Sequence, residues 1–152
     1  MMNNEDEYMA IALEEARKAA DRGEVPIGAV LVDTTSQAVI AKNGNRTREL
    51  NDPSAHAEML VIRQGCEIKG AQRIPECDLY VTLEPCNMCA GAISFARIRK
   101  LVFAASDEKG GAVINGTKFY SQATCHHKPQ ISHGVLSEDC SKILKEFFID
   151  KR

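Results

Sequence analysis

No apolar run in this sequence approaches the roughly 18–20 residues that a membrane-spanning helix needs. The opening stretch, MMNNEDEYMA, lacks the basic start and apolar segment of a secretory signal. Repeats, linkers and low-complexity segments are also missing. Neither sign of charge dominates: 19 Lys and Arg stand against 21 Asp and Glu, for a formal net charge of −2. These absences argue against a membrane span, a secreted chain and a repeat array, and the charge is not the global signature of a nucleic-acid binder. The expectation is a cytoplasmic protein. Six cysteines in a reducing compartment point to metal binding, catalysis or core packing rather than a disulfide framework.

What is present fits an ordinary globular domain. The chain has 152 residues, 44% apolar and 26% charged, enough for one domain over 1–152 with a single core. The first 24 residues hold seven acids and three bases, which leaves the rest of the chain net positive by two. Any attraction to phosphate must therefore come from a local patch away from the first helix.

Residues 5–22 have the three- and four-residue spacing of an amphipathic helix, through Tyr8, Ile11, Ala12, Ala16, Ala19 and Ala20. IGAVLVD, a polar TTSQ turn and AVIAK predict a hairpin over about 27–42. Pro53 predicts a helix from Ser54 to about Gly70. CDLYVTL and RKLVFAA are buried-strand candidates that flank a helix beginning after Pro85. Residues 117–130 give no clear pattern. QISHGVL is a short final strand, and Ser137 is expected to cap a closing helix. Strands alternating with helices predict an α/β fold with helices on both faces of a sheet.

The chemistry concentrates in two stretches. PSAHAEML carries His56 and Glu58, and thirty residues after His56 comes LEPCNMC, with Cys86 and Cys89. One imidazole and two thiolates are three good zinc ligands, and catalytic zinc sites keep a further position for water. Both segments read as helix beginnings, where exposed N–H groups favour thiolate over thiol. Pro85 suits such a first turn, since its missing N–H is not needed there. A carboxylate beside the site, Glu58, suits proton transfer, although residues two apart do not share a helix face. The joined pattern, H-A-E followed by P-C-x-x-C, is the zinc deaminase signature. A structural zinc site and two core thiols are the alternatives.

The sequence resembles the bacterial tRNA-specific adenosine deaminases of the cytidine/deoxycytidylate deaminase superfamily. The likeness is carried by EVPIGAVLV, GNR, DPSAHAEM, LYVTLEPCNMCAGAI and LVFAASDEKGG. It runs from about residue 8 to the C-terminus and is weakest between 113 and 131. It implies a three-layer α/β/α sandwich with a five-stranded mixed sheet, one Zn2+ per subunit, a homodimer, and a tRNA anticodon stem-loop as partner. The implied reaction converts the wobble adenosine of an arginine tRNA to inosine. His56, Cys86 and Cys89 match the metal ligands and Glu58 the proton shuttle. Asn45 matches a residue that bonds the target base, and Pro26 and Ile27 match the pocket wall. Asp107 falls in a loop beside the anticodon backbone, and Lys151 and Arg152 match basic residues placed to meet phosphate. Ser106 departs from the basic residue some relatives carry.

The zinc motif does not separate RNA from a free base or nucleoside such as cytosine, cytidine or guanine. The flanking match and the Lys/Arg ending favour RNA, while the negative net charge favours a small molecule. A zinc-stabilised RNA-binding module without turnover is a third reading, and Glu58 argues against it. Cys66, Cys77, Cys125 and Cys140 read as small hydrophobes. His126 or His127 as a fourth ligand is a minor option; RIRK over 97–100 reads as a charged turn in solvent rather than a face toward RNA, and Phe147 or Phe148 as a base-stacking ring or an exposed aromatic at a dimer seam.

Overall fold

In the computed structural model, residues 4–150 are described. Among them, α1 spans Asn4–Asp21, β1 Gly28–Asp33, β2 Ala38–Gly44 and α2 Ala57–Lys69. After these come β3 Cys77–Leu83, α3 Asn87–Phe95, β4 Lys100–Ala105, β5 Gln130–His133 and α4 Ser137–Asp150. A single 3-10 turn, Phe119–Ser121, lies between β4 and β5.

The five strands form one mixed sheet in the order β2-β1-β3-β4-β5. β1 is antiparallel to β2 and β3, whereas β3, β4 and β5 run parallel. Residues alternate between the two faces of a strand, and this sheet is buried on both. Leu31, Leu79, Val81, Leu101 and Phe103 pack with Val61, Ile62, Ala90 and Ile93 of α2 and α3. Val30, Val32, Tyr80, Val102 and Ala104 pack with Met9, Ala12, Leu13 and Cys140 of α1 and α4. That is the three-layer α/β/α sandwich with a five-stranded mixed sheet that the resemblance implies.

The helical spacing of the first segment sets α1 close against β1. Met9, Ala12, Ala16 and Ala19 are wholly buried. At Gly28 a Cβ would stand 1.9 Å from the Ala12 carbonyl and 2.6 Å from the Ala16 nitrogen. The small face of α1 is pressed against the first residue of β1, and only glycine fits there.

Several boundaries differ from the sequence expectations. α2 begins at Ala57, with His56 as its N-cap, and not at Ser54. The Asp52 carboxylate accepts from Ser54 N–H (2.9 Å) and Ser54 Oγ (2.7 Å), so Asp52-Pro53-Ser54 is a side-chain-bonded turn ahead of the helix. α3 has Cys86 as N-cap, so Pro85 lies one residue outside the helix rather than in its first turn. β5 stops at His133, before the positive φ of Gly134 and Leu136. Ser137 is the first helical residue of α4, and the Leu136 carbonyl takes the opening bond from Cys140 N–H at 3.1 Å. RIRK is no free basic turn: Arg99 pairs with Asp78 and Lys100 with Glu5, both at 2.6 Å.

Candidate active site

Two helix starts meet at one point. His56 caps α2 with extended dihedrals (φ −72°, ψ 153°), and Cys86 caps α3 in the same region (φ −75°, ψ 176°). Neither cap is in helical conformation, so the helix-face rule does not govern the side chains around it. This is how His56 and Glu58, two apart, reach the same site. Pro85 contributes from outside the helix, with the chain before it held extended.

His56 Nδ1 stands 3.6 Å from Cys86 Sγ and 3.5 Å from Cys89 Sγ. The three ligand atoms lie within 4.8 Å of one another, and this is the metal-ligating cluster found among the described residues. A tetrahedral zinc with one nitrogen and two sulfur ligands requires an N···S edge of about 3.6 Å. The donor set and its spacing therefore fit zinc with three protein ligands. His126 and His127 are not in the cluster, and His127 Nε2 instead meets the Ile98 carbonyl at 2.7 Å.

The electrostatics suit a cation. Cys86 is pushed down to about 4, first by the Cys89 thiol donating toward it and, against burial, by His56. Cys89 is raised by the same contact and by burial. His56 is raised, chiefly by its bond to Cys86. Glu58 is 4% exposed, and burial pushes its carboxyl up to about 7.

The remaining cysteines stay outside the cluster. Cys77 and Cys140 are wholly buried, and burial lifts their thiols to about 11 and about 12. Cys66 and Cys125 pack at the edge of the α2–α3 core.

Asn45 follows directly on β2 and is 5% exposed. Its Oδ1 accepts from Ala57 N–H at 2.8 Å, at the first residue of α2. The amide is thereby oriented, with Nδ2 left to donate. Ile27 lies alongside, and its carbonyl accepts from Asn45 N–H at 3.1 Å. Pro26 is buried beside it. Asp107 is half-buried after β4, and its Oδ1 accepts from Lys109 N–H (3.1 Å) and Gly110 N–H (3.0 Å). Ser106 is exposed. Lys151 and Arg152 lie outside the described residues. Phe147 and Phe148 make an edge-to-face pair with each other at 5.4 Å.

Among the buried carboxylates that escaped the sequence reading, two hold loops beside the site. Glu24 is 1% exposed and accepts from Arg48 N–H (3.1 Å) and Glu49 N–H (2.8 Å), which anchors the loop after Asn45. Arg22 holds the same loop by donating to the Asn45 carbonyl at 3.1 Å. Glu84 is 3% exposed and gathers the loop that carries Asp107. Burial would raise it, but donors led by Asp107 N–H and the Asn115 amide outweigh that and hold its carboxyl below the usual range.

The 3–152 span matches the family model of MafB19-like deaminases. The tRNA-specific adenosine deaminase of Agrobacterium fabrum is 59% identical over 145 residues, covering 95% of this chain and 94% of that protein. The tRNA-specific adenosine deaminase of Bacillus subtilis is 42% identical over 151 residues, covering 99% and 92%. A structure solved in work on A-to-I editing by tRNA:A34 deaminases at the wobble position superposes with a TM-score of 0.88. It is 59% identical and covers 91% of this chain and 99% of that one.

Proposed function

The chain belongs to the bacterial tRNA-specific adenosine deaminases, within the MafB19-like deaminase family, and we propose that it converts the wobble adenosine of an arginine tRNA anticodon to inosine. The observation that carries the deaminase chemistry is the pairing of a zinc-spaced His56–Cys86–Cys89 set with the buried acid Glu58, and the 59% identity to the Agrobacterium fabrum tRNA-specific adenosine deaminase over 95% of the chain supports the RNA substrate. The net reaction adds water at C6 of adenine and releases ammonia.

His56, Cys86 and Cys89 would hold one Zn2+ per subunit. When bound, the metal supplies a water acidified to about neutral pH. Glu58 takes one proton from the attacking water and delivers it to N1 of the ring, then takes the remaining proton from the new C6 hydroxyl and passes it to the amino group, which leaves as ammonia as C6 becomes a carbonyl. Burial of Glu58 beside the ligand set supports this, because a carboxyl removed from bulk water exchanges protons with the reactants held next to it. Asn45, fixed through Ala57, turns its Nδ2 donor to the base. Pro26 and Ile27 wall the pocket.

Asp107 and its loop meet the anticodon backbone, and Lys151 and Arg152 meet phosphate. An anticodon loop is already single-stranded, so extruding the base costs less than it would from a duplex. The chain acts in the cytoplasm as one deaminase domain and as a homodimer. The exposed Phe95 and Met88, seven apart on α3, support an apolar seam between subunits. Among the described residues, no helix is long and apolar enough to cross a membrane.

The test is product analysis. Zinc-loaded protein is incubated with an arginine anticodon stem-loop bearing the wobble adenosine, in parallel with free adenosine, cytidine and guanine. Inosine from the stem-loop alone is the expected result. Consumption of a free base with the stem-loop untouched would overturn the substrate assignment and keep the hydrolytic chemistry.

A further inference from the structure

Glu84 follows β3 directly and stands two residues before the ligand Cys86. Its carboxylate is received by five donors, none of them a cation. Oε1 accepts from Asp107 N–H at 2.9 Å and Asn115 Nδ2 at 2.8 Å. Oε2 accepts from the N–H groups of Val113 (3.0 Å), Ile114 (2.9 Å) and Asn115 (3.0 Å). Four of the five donors are backbone, so the chain from 107 to 115 is wrapped around one side chain.

The wrapping is close. A Cβ at Gly111 would fall 2.4 Å from Glu84 Cδ and 2.5 Å from the Asp107 carbonyl. The same segment is tied to the strand ends beside the ligands. Glu84 N–H donates to the Ala105 carbonyl at 2.8 Å, and Ala112 N–H donates to the Pro85 carbonyl at 2.9 Å.

Burying a carboxylate is costly unless donors replace its water, and charge-assisted bonds to N–H groups are about twice as strong as neutral ones. Carboxylate and loop therefore depend on each other. The loop has no regular secondary structure to hold it, and opening it would strand a buried charge.

We propose that Glu84 is a positioning residue: it fixes the 107–115 loop, and with it Asp107, relative to the His56–Cys86–Cys89 site so that the loop receives the RNA backbone in a preset shape. The proposal rests on the RNA reading above. The metal ligands and Glu58 lie outside this loop. Disturbing it should weaken substrate capture more than it slows the chemical step. A merely structural role would lower the active fraction, and so kcat, without moving KM.

The experiment is steady-state kinetics on the anticodon stem-loop for wild type, E84Q and N115A, with metal content measured on each. Glutamine presents an NH2 where one carboxylate oxygen met N–H groups, so E84Q strands donors. A lost bond to a charged acceptor corresponds to about tenfold or more, and KM for E84Q is expected to rise by at least that much. Its kcat should stay within about threefold of wild type, with one zinc per chain. N115A removes the Nδ2 donor to the same charged acceptor and keeps the backbone bond, and its KM is expected to rise about tenfold.

An unchanged KM in both variants, with or without a fall in kcat, overturns the positioning role. If E84Q does not fold, N115A decides alone by the same criterion. Wild type without inosine would sink the RNA reading and this proposal together. Active wild type with unmoved variants would sink this proposal only.

Discussion

Under the proposed function Asn45 has two separable jobs, and two substitutions divide them. Its Oδ1 receives Ala57 N–H at 2.8 Å, and Ala57 is wholly buried. N45A leaves that N–H without a partner away from water, which costs about 2 kcal/mol. For a chain of this size each kcal/mol lowers Tm by roughly 2–4 °C, so Tm should fall by about 4–8 °C. N45D keeps an oxygen for Ala57, and the cost of burying its carboxylate is offset by a charge-assisted bond to that N–H and by the dipole at the helix N-terminus. Its Tm should lie much closer to wild type than that of N45A. Both variants lose the Nδ2 donor, and kcat/KM on the stem-loop should drop by about 10–100-fold in each. The assays are thermal unfolding of zinc-loaded protein and inosine formation. Equal Tm losses in the two variants would refute the capping role, and full activity in N45D would refute base recognition.

G28A should shift the urea midpoint by an amount equivalent to about 3 kcal/mol, because a Cβ there meets the backbone of α1 at 1.9 Å; an unchanged midpoint would contradict that packing. Stripping the metal with a chelator should abolish activity and lower Tm, and zinc should restore both; a Tm indifferent to zinc would show that the site binds no metal. Glu24 carries a pH signature. Burial alone would raise its carboxyl, but the N–H groups of Glu49 and Arg48 outweigh burial and hold it below its ordinary 4.5. A depressed folded pKa gives stability that is complete above the ordinary value and drains as pH falls through the folded one. The stability gap between wild type and E24Q should therefore narrow from pH 6 to pH 3, and a constant gap in urea midpoints would refute it.

The sequence was most readable where chemistry demands particular residue types. Few side chains bind zinc, so His56, Cys86 and Cys89 stood out, with Glu58 beside them. The sheet was readable because strands buried on both faces become short apolar runs such as CDLYVTL. The helix starts were misread at Pro53 and Pro85, where proline was assigned to a first turn. At the first site the Asp52 side chain builds a turn of its own, and at the second proline keeps the chain extended ahead of the cap. The convergence of His56 and Glu58 could not be derived, because it depends on His56 being a cap rather than a helical residue. Glu24 and Glu84 were invisible for another reason. Their donors are mostly backbone N–H groups some 23–31 residues away, and a backbone donor has no residue-type signature. The 117–130 stretch showed no period because it forms a single 3-10 turn that packs Phe119 and Tyr120 against the core, with the Tyr120 hydroxyl donating to the Ala90 carbonyl at 2.9 Å.

The most direct test of the central claim, that His56, Cys86, Cys89 and Glu58 form one hydrolytic centre, is E58Q compared with wild type for zinc content, Tm and inosine formation. A neutral amide of the same shape fits the 4%-exposed site without the cost of burying a charge. The prediction is one zinc per chain, a Tm no lower than wild type, and kcat reduced by about 10²–10⁴-fold. Loss of zinc along with Glu58, or turnover near the wild-type rate, would contradict the account.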